Sequence, residues 1–598
     1  MEPAEERLAS QPATTQSIVA GLGPASPAFR TALADLRSLF RQLQDQPALQ
    51  LRVGQWRRYL ALVYGEETGD TELFLKHTYL ALVARLLAAV RLNVGALPSP
   101  KDLAGIIQGD YFHDRAALAN FVEEDFFTWP LLEPVREEGL ALARRLLNTL
   151  QTYDFSQVRE DVLKELYQGL VDPADRHDLG EYYTPDWLAE LMLRDELRLP
   201  DDPRRSILDP ACGSGTFLFI AVRLIRKVLE KQGVPPAEIL YHIVDNVVGM
   251  DVHPLAVTIA RTNYLLALGD LLQAKRDVIS IPVYLADSIK LPDTTGALGK
   301  AGPYTIQAEP NVFLQMPQAM NSEGLDYLLP FMKDKYGKNT IARAATPEAE
   351  GRGWYAFHNF LVARGNRRKA FVLNDEDAEV VMRTQRLLID LMREGKDTLW
   401  FFILRNSLRP AFLQRQKFDL AVGNPPWLSL RYVRNPDYYQ WVRGQILREY
   451  RLLESGKPHL FTQMELATLF FARAADLYLK DGGQIAFVMP RSVMVAQQHA
   501  RFTGMSFKEG GLLQLGLCKL IDLEGVSPLF NVPACVLVAE KGKWPDYPVP
   551  GSIVSGDLAV KNRPLAEAQP LLTSRPTAYQ RVEGRLVAKG SLPIGGPR

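Results

Sequence analysis

The sequence predicts an α/β protein built on a sheet whose strands end in acids or rigid turns. Three observations predict it. Residues 206–209 are a short apolar run that ends in Asp209 and opens into a glycine-rich turn and a helix. Residues 247–251 and 281–286 repeat the pattern, closing on Asp251 and on Asp287-Ser288. Residues 418–424 are another apolar run, ended by Asn424-Pro425-Pro426-Trp427.

The chain opens with small polar residues, and residues 1–25 are expected to be flexible. From Phe29 the apolar spacing turns helical, through Leu33, Leu36, Leu39, Phe40 and Leu43. Residues 72–92 form a strong helix with Leu73, Leu80, Val83, Leu86, Leu87 and Val90 on one side. Its Arg85 and Arg91, with that period, argue against a membrane span. Asp125 to Pro130 read as an aromatic turn. A magnesium-dependent nuclease would need acids on adjacent strands. Here Glu66, Glu67, Asp70 and Glu72 sit in or beside a helix, so residues 26–157 read as a helical scaffold.

Gly213-Ser214-Gly215 lies between a strand and a helix, where backbone can approach a ligand and helix N–H groups point at it. No Gly-Lys-Ser/Thr follows, so this is not the phosphate loop of nucleotide hydrolases. The third glycine of the dinucleotide fingerprint is missing as well. An acid in the place of Asp251 commonly binds ribose hydroxyls. Taken singly, each acid fits a helix cap or turn more readily; the ordered set favours a ligand site.

Asn424-Pro-Pro-Trp can hold an exocyclic amino group. The Asn424 side-chain oxygen and the Pro425 carbonyl can each accept one N–H from a planar NH₂, and two proline rings preset both acceptors. Trp427 offers a face on which a base can stack. Read alone, the tetrapeptide serves equally as a rigid turn after a buried strand. Arg431, Arg434, Arg443, Arg448 and Arg451 follow, interleaved with Tyr432, Tyr438 and Tyr439. That mixture suits phosphate and base contacts, or a solvated charged helix. Residues 470–479 pattern as a helix, residues 484–489 as a strand, and residues 517–523 with 534–539 as an antiparallel hairpin at a sheet edge.

Composition bounds the answer. The 598 residues are 47% hydrophobic and 23% charged, ordinary for a globular chain of several domains. Three scattered cysteines and no leader signature point to a reducing cytoplasm. No Cys/His cluster has metal-ligand spacing, so no metal is expected. The formal net charge is +0, so any nucleic-acid face must be local.

With these residues in place, the sequence resembles the amino-group DNA methyltransferases that make N6-methyladenine. Gly180-Glu-Tyr-Tyr-Thr-Pro185, Asp209-Pro-Ala-Cys-Gly-Ser-Gly-Thr216, Gly249-Met-Asp251, Ala286-Asp-Ser288 and Asn424-Pro-Pro-Trp427 resemble that family's motifs. Their order is that of the gamma class, which includes type I modification subunits and fused type IIG enzymes. The resemblance covers about residues 158–540. It implies a Rossmann-like S-adenosylmethionine-dependent methyltransferase sheet, with an N-terminal helical domain and a large insertion before the catalytic loop. It implies S-adenosyl-L-methionine as cofactor, with Asp251 on its ribose and Asp287 and Ser288 at its adenine. Tyr183, Thr184, Pro185, Asp209, Ala211, Gly213 and Gly215 would surround its methionine part. Asn424, Pro425, Pro426 and Trp427 would act on an adenine flipped from double-stranded DNA.

One departure stands out. The stretch between Ser288 and Asn424 is too long for a bare loop, and reads as an inserted region of mixed structure. It holds a basic run at 364–369 and helical patterning over 376–393, and serves either near DNA or as a peripheral elaboration. The expected organisation is therefore 1–25 flexible, 26–157 helical, 158–290 cofactor half, 291–415 insertion, 416–545 catalytic half and 546–598 C-terminal extension. Residues 546–598, poor in apolar runs, leave no room for a recognition domain. The chain is read as a piece of a longer protein, or one relying on separate recognition, helicase or nuclease subunits of a restriction-modification or phage-defence system. A methyltransferase for another planar amine, such as an RNA base or a protein glutamine, and a non-catalytic DNA-binding scaffold remain alternatives.

Overall fold

The computed structural model describes residues 11–64, 70–92, 100–122, 126–155, 158, 161–170, 183–295, 301–309, 312–363, 371, 373–394 and 400–589. The chain divides into two compact units. The first comprises Met1–Val122, Phe126–Val283 and Lys417–Arg598; the second comprises Glu123–Asp125 and Tyr284–Gln416.

The first unit is a mixed α/β structure around a sheet of 11 strands. Its main strands are β1 (Ile207–Asp209), β2 (Val247–Asp251), β3 (Val283–Leu285, of which Val283 belongs to this unit), β4 (Phe418–Gly423), β5 (Leu479–Pro490), β6 (Leu513–Ser527), β7 (Ala534–Lys541), β8 (Val549–Asp557), β9 (Thr573–Val582) and β10 (Arg585–Ala588). Their spatial order is β10-β9-β8-β6-β7-β5-β4-β1-β2-β3. Strands β5, β4, β1 and β2 run parallel, and β7 pairs antiparallel with both β5 and β6. Every residue of β1 is buried, as is usual for a parallel strand covered on both faces, so it reads as a continuous apolar run.

The chain runs outward from β1 to β3, then returns to lay β4 on the other side of β1. The order therefore reverses between β1 and β4. In open α/β sheets ligands bind at such a point, beyond the carboxyl ends of the strands.

Three helices matter for this position: α1 (Thr71–Leu92), α2 (Thr216–Lys231) and α3 (Pro254–Leu268). Helix α3 packs against both α1 and α2. The one-sided helix expected over 72–92 is instead buried on every side from His77 to Ala89. It has α3 on one flank and helices Pro27–Leu43, Pro100–Gln108 and Arg136–Leu150 on others. Its interior Arg85 donates to the Ile107 carbonyl (2.6 Å). Two helices, Thr71–Leu92 and Pro254–Ala274, are long and apolar enough to cross a membrane, but their windows are 83% and 89% buried inside the protein.

Two further expectations are corrected. Residues 11–25, read as flexible, are docked: Gln11–Pro12 pairs with Tyr153–Asp154, and helix Thr15–Leu22 buries Ile18 and Leu22. The small polar residues are helix caps, with Thr14 and Ser17 in a capping box and Ser26 bonding the Phe29 N–H ahead of Pro27. The hairpin of residues 517–523 and 534–539 exists as β6 and β7, yet it is not at the edge. Strand β8 adds parallel to β6, and β9 and β10 continue the sheet. These strands bury few residues, Val549, Ser552 and Val554 on β8, Tyr579 on β9 and Leu586 on β10, so no apolar run marks them. The predicted helix and strand over 470–479 and 484–489 are α4 (Leu466–Tyr478) and β5.

The second unit has its own core. A three-stranded antiparallel sheet (Asp293–Thr295, Ala301–Glu309, Val312–Met316) packs with helices that include Ser322–Pro330, Asp375–Arg393 and Trp400–Gln416. Leu325, Leu328, Phe357, Val381, Leu404 and Leu408 are among its buried residues. Arg409 is nearly buried, bonds both oxygens of Asp326 (2.6 and 2.5 Å), and lies 4.5 Å from the Tyr284 ring centre. The basic run 364–369 lies outside the described residues.

Candidate active site

Strand register fixes the site. Asp209 of β1 aligns with Gly249 of β2; Leu208 aligns with Ala421 of β4, which brings Asp209 level with the end of that strand. On the far side of β4, Gly423 aligns with Phe487 of β5. The carboxyl ends of β1, β2 and β4 thus present Asp209, Asp251 and Asn424 together. A Cβ on Gly423 would stand 2.7 Å from Asp209 Oδ1, so only glycine lets this carboxyl lie against the strand before Asn424.

Asp209 is completely buried. Its Oδ1 accepts the Ala211 N–H (3.1 Å), while Oδ2 is buried with no hydrogen-bond partner among the described residues. Burial pushes its pKa well above the usual carboxylate range; the Ala211 N–H opposes this, and nearby Asp251 adds to it. Asp251 is half-buried. Its oxygens accept the N–H groups of Gly213 (2.8 Å) and His253 (2.8 Å). Burial raises its pKa too, against the pull of those donors. His253 caps α3 through the Ala256 N–H (3.3 Å), and burial lowers its pKa to about 4.

The glycine turn is shaped by Gly213 (φ 53°), which faces the Tyr183 ring, and by Gly215 (φ 85°), which caps α2. It is held from below by a residue absent from the motif reading. Asp161, completely buried, accepts from Ser214 Oγ (2.6 Å), Thr216 Oγ1 (3.0 Å) and Asn263 Nδ2 (2.5 Å), and from the Lys164 N–H (3.0 Å). Asn263 also bonds the Ser214 carbonyl (2.9 Å). Burial raises the Asp161 pKa, although Lys164 and the hydroxyls favour its charged form.

Lys164 is itself buried. Its ammonium pairs with Asp186 and bonds the Thr184 carbonyl (3.2 Å). Thr184 and Pro185 are buried, and Pro185 caps the helix Asp186–Leu191. Tyr183 is half-buried, its ring edge-on to Tyr167 at 5.6 Å. Thus Tyr183, Thr184 and Pro185 are tied to the same turn as Ala211, Gly213 and Gly215. Gly180, Glu181 and Tyr182 lie outside the described residues.

Beyond β4, Pro425 is buried, while Asn424 and Pro426 are half-buried. Trp427 is 7% exposed; its indole N–H donates to the Val488 carbonyl of β5 (3.2 Å). The half-buried Phe530 packs against Trp427 at 5.0 Å, and the Lys561 ammonium stands 4.6 Å above the Phe530 ring. Motif reading did not find Phe530; its signal was an aromatic in the turn between β6 and β7. Arg431, Arg434, Arg443 and Arg448 are exposed after the loop, and Arg431 lies 5.4 Å from the Tyr432 ring. Arg451 pairs with Glu509 (3.0 Å).

Asp287 and Ser288 belong to the second unit. There Asp287 Oδ1 accepts the N–H groups of Ile289 (3.0 Å) and Lys290 (3.0 Å), and Ser288 is buried. In the N-terminal helices Asp70 caps α1 through the Leu73 N–H (2.7 Å), and Glu72 pairs with Arg37. Among the described residues no group of three or more His, Cys, Asp or Glu is arranged for a metal ion.

Comparison with known proteins names the class. Residues 158–293 match the family model of the N-6 DNA Methylase, and residues 245–515 match that of the Eco57I restriction-modification methylase. Across 158–515 the chain is thus similar to the N6 DNA methylases of restriction-modification systems, the family its motifs resemble. More particularly, it is 28% identical over 94 residues to the type I restriction enzyme MjaVII methylase subunit of Methanocaldococcus jannaschii, covering 15% of this chain and 16% of that one. It is 34% identical over 82 residues to the EcoEI methylase subunit of Escherichia coli, covering 13% and 16%. The matched segments span about a sixth of those curated relatives. Among solved structures, the DrdV–DNA complex aligns over 92% of this chain and 44% of its own, with TM-score 0.46 and 12% identity. A modification subunit of a putative type I restriction enzyme from Vibrio vulnificus aligns over 91% and 96%, with TM-score 0.37 and 14% identity.

Proposed function

We propose that this chain is a site-specific DNA adenine-N6 methyltransferase that uses S-adenosyl-L-methionine and flips its target adenine, within a restriction-modification or phage-defence system. One observation carries the reading: Asp209, Asp251 and Asn424 stand together where the strand order reverses.

The residues fit the cofactor. Asp209 Oδ2 is a buried oxygen without a partner among the described residues, suited to a donor on a ligand. Gly213 leaves open backbone facing Tyr183, which suits the methionine part. Asp251 keeps lone pairs for ribose hydroxyls beyond the two N–H groups it already accepts. Asp287 and Ser288 are assigned to the cofactor adenine. The cofactor supplies an already activated methyl group on a sulfonium.

The protein's own work is positioning. Asn424 Oδ1 and the Pro425 carbonyl accept the two N–H bonds of the adenine amine, turning its lone pair toward the methyl donor. Pro425 and Pro426 hold those acceptors rigid, so little reorganisation accompanies transfer. Trp427, with Phe530 beside it, flanks the base. The exposed arginines after the loop take phosphates, and separate subunits or a further region supply sequence recognition.

The test is transfer of tritiated methyl from S-adenosylmethionine, with DNA from an adenine-methylation-deficient strain, total RNA and a glutamine peptide offered in parallel. Label in DNA as N6-methyladenine is expected. Label only in RNA or peptide would move the site to another planar amine, and no label with intact cofactor binding would leave a scaffold.

A further inference from the structure

The loop between β8 and helix Leu565–Ala568, residues 558–564, touches both halves of the site. Asn562 Oδ1 accepts the Asp186 N–H (2.8 Å) and the buried Lys164 ammonium (3.2 Å). Lys164 also bonds the Thr184 carbonyl and pairs with Asp186, and its own N–H meets Asp161, which holds Ser214 and Thr216. One residue earlier, Lys561 stands over Phe530, which packs on Trp427.

The stretch is anchored on both sides. The Leu558 N–H bonds the Ser527 carbonyl (2.7 Å), just ahead of the turn carrying Phe530, and helix Leu565–Ala568 packs against helix Asp186–Leu191. The far end of that turn is fixed by the Arg491 N–H on the Pro533 carbonyl (2.8 Å). Residues 561–562 are thus tied at once to the Thr184–Asp186 segment and to the aromatic pair.

We propose that Lys561 and Asn562 are positioning residues that couple cofactor binding to target-base binding. Asn562 sets the Thr184–Asp186 segment against the glycine turn. Lys561 sets the Phe530 ring against Trp427 by attraction between its charge and the ring face. Ligand in either half then favours the arrangement the other half requires, and the coupling is reciprocal. The inference rests on the methyltransferase reading above.

The experiment is calorimetric titration of S-adenosylhomocysteine into the full chain, alone and with a duplex carrying an adenine opposite an abasic site. Wild type should bind S-adenosylhomocysteine at least about fivefold more tightly with the duplex, the lower end of the usual range for linked sites. Asn562→Ala should weaken binding without DNA by about tenfold, the scale of a lost hydrogen bond to a charged group. Asn562→Asp keeps the acceptor oxygen and should stay within about twofold of wild type, a rescue that general loosening would not produce. Lys561→Gln should leave affinity without DNA within about twofold and abolish the gain from the duplex.

Wild-type affinity unchanged by the duplex, an Asn562→Ala protein that binds like wild type, or a Lys561→Gln protein that keeps the gain would each overturn the coupling and leave the methyltransferase reading standing. A folded wild type that binds no S-adenosylhomocysteine would overturn the methyltransferase reading itself.

Discussion

The two loops that meet at the carboxyl ends of β1 and β4 are held in opposite ways. The glycine turn after β1 rests on side chains. Asp161 gathers Ser214, Thr216 and Asn263, Asp251 takes the Gly213 N–H, and buried charges lie beneath. The loop after β4 rests on backbone and rings: two prolines, the strand register with β5, and Trp427 bonded to a main-chain carbonyl and packed on Phe530. A turn that shapes itself to a flexible ligand can use adjustable polar contacts. A loop that presents two acceptors to one planar amine gains from being stiff. The first should therefore be sensitive to single polar substitutions and to pH, and the second chiefly to the loss of its acceptors.

The largest expected effect breaks the stiff loop's chemistry without touching the polar turn. Asn424→Ala should lower methyl transfer by about 100- to 1000-fold, the scale for one preorganised acceptor. S-adenosylhomocysteine affinity, by calorimetry, should stay near wild type. Near-normal turnover would remove Asn424 from the reaction.

The converse substitution, Asp161→Ala, strips the polar turn of its common acceptor and leaves buried donors behind. Urea unfolding should show a loss of about 3 kcal/mol. A loss below about 0.5 kcal/mol, the range of ordinary surface substitutions, would mean that the turn holds its shape without the carboxylate.

Asp251→Ala sharpens the contrast at the cofactor. Affinity for S-adenosylmethionine should fall by roughly 1.5–3 kcal/mol, as for a charge-assisted hydrogen bond. Unchanged affinity would reduce Asp251 to a brace for Gly213 and His253.

The smallest effect is a pH slope specific to the polar half. His253 has a folded pKa lowered from 6.5 to about 4 by burial. The unfolded chain therefore binds its proton first as pH falls, and stability is lost from about 6.5 downward. His253 alone should contribute about 1–1.5 kcal/mol of loss at pH 5.5 relative to pH 8. His77, its ring 5.2 Å from His253 and its pKa also lowered well below 6.5 by burial, adds a loss of the same sign. His253→Asn should therefore make that part of the stability profile shallower without abolishing it; an identical slope in the variant would assign it to other groups.

Much of this division was legible in the residues. Short apolar runs ending in Asp209, Asp251 and Asn424 mark β1, β2 and β4, because buried parallel strands cannot hide their composition. Gly213-Ser-Gly215 marks the turn, because positive φ favours glycine. Asp161 and Lys164 were not legible: each is a single charged residue of a kind usually found on a surface, and its burial follows from partners far along the chain. Asn562 is more remote still, acting 376 residues from Asp186. Strands β8 to β10 were not legible because few of their residues are buried, and these are scattered among Gly, Pro and polar residues that leave no run to read. Helix α1 misled in the other direction: its apolar stripe is real, but alanines and Arg85 complete a surface that is buried all round.

The bond from Lys164 to Asn562 spans 398 residues of chain. During synthesis the glycine turn and its acids emerge early, but this clasp closes only after the 558–564 stretch is made. At about 5–20 residues per second, the turn waits roughly 20 to 80 s for its last support. Such long-range closure is slow to find and leaves buried charge temporarily exposed. Nascent chains stalled short of residue 562 should therefore be cut by protease near Lys164 more readily than the 598-residue chain released from the ribosome. The half that carries the glycine turn, translated well before β4 and its loop, is among the last parts to become rigid.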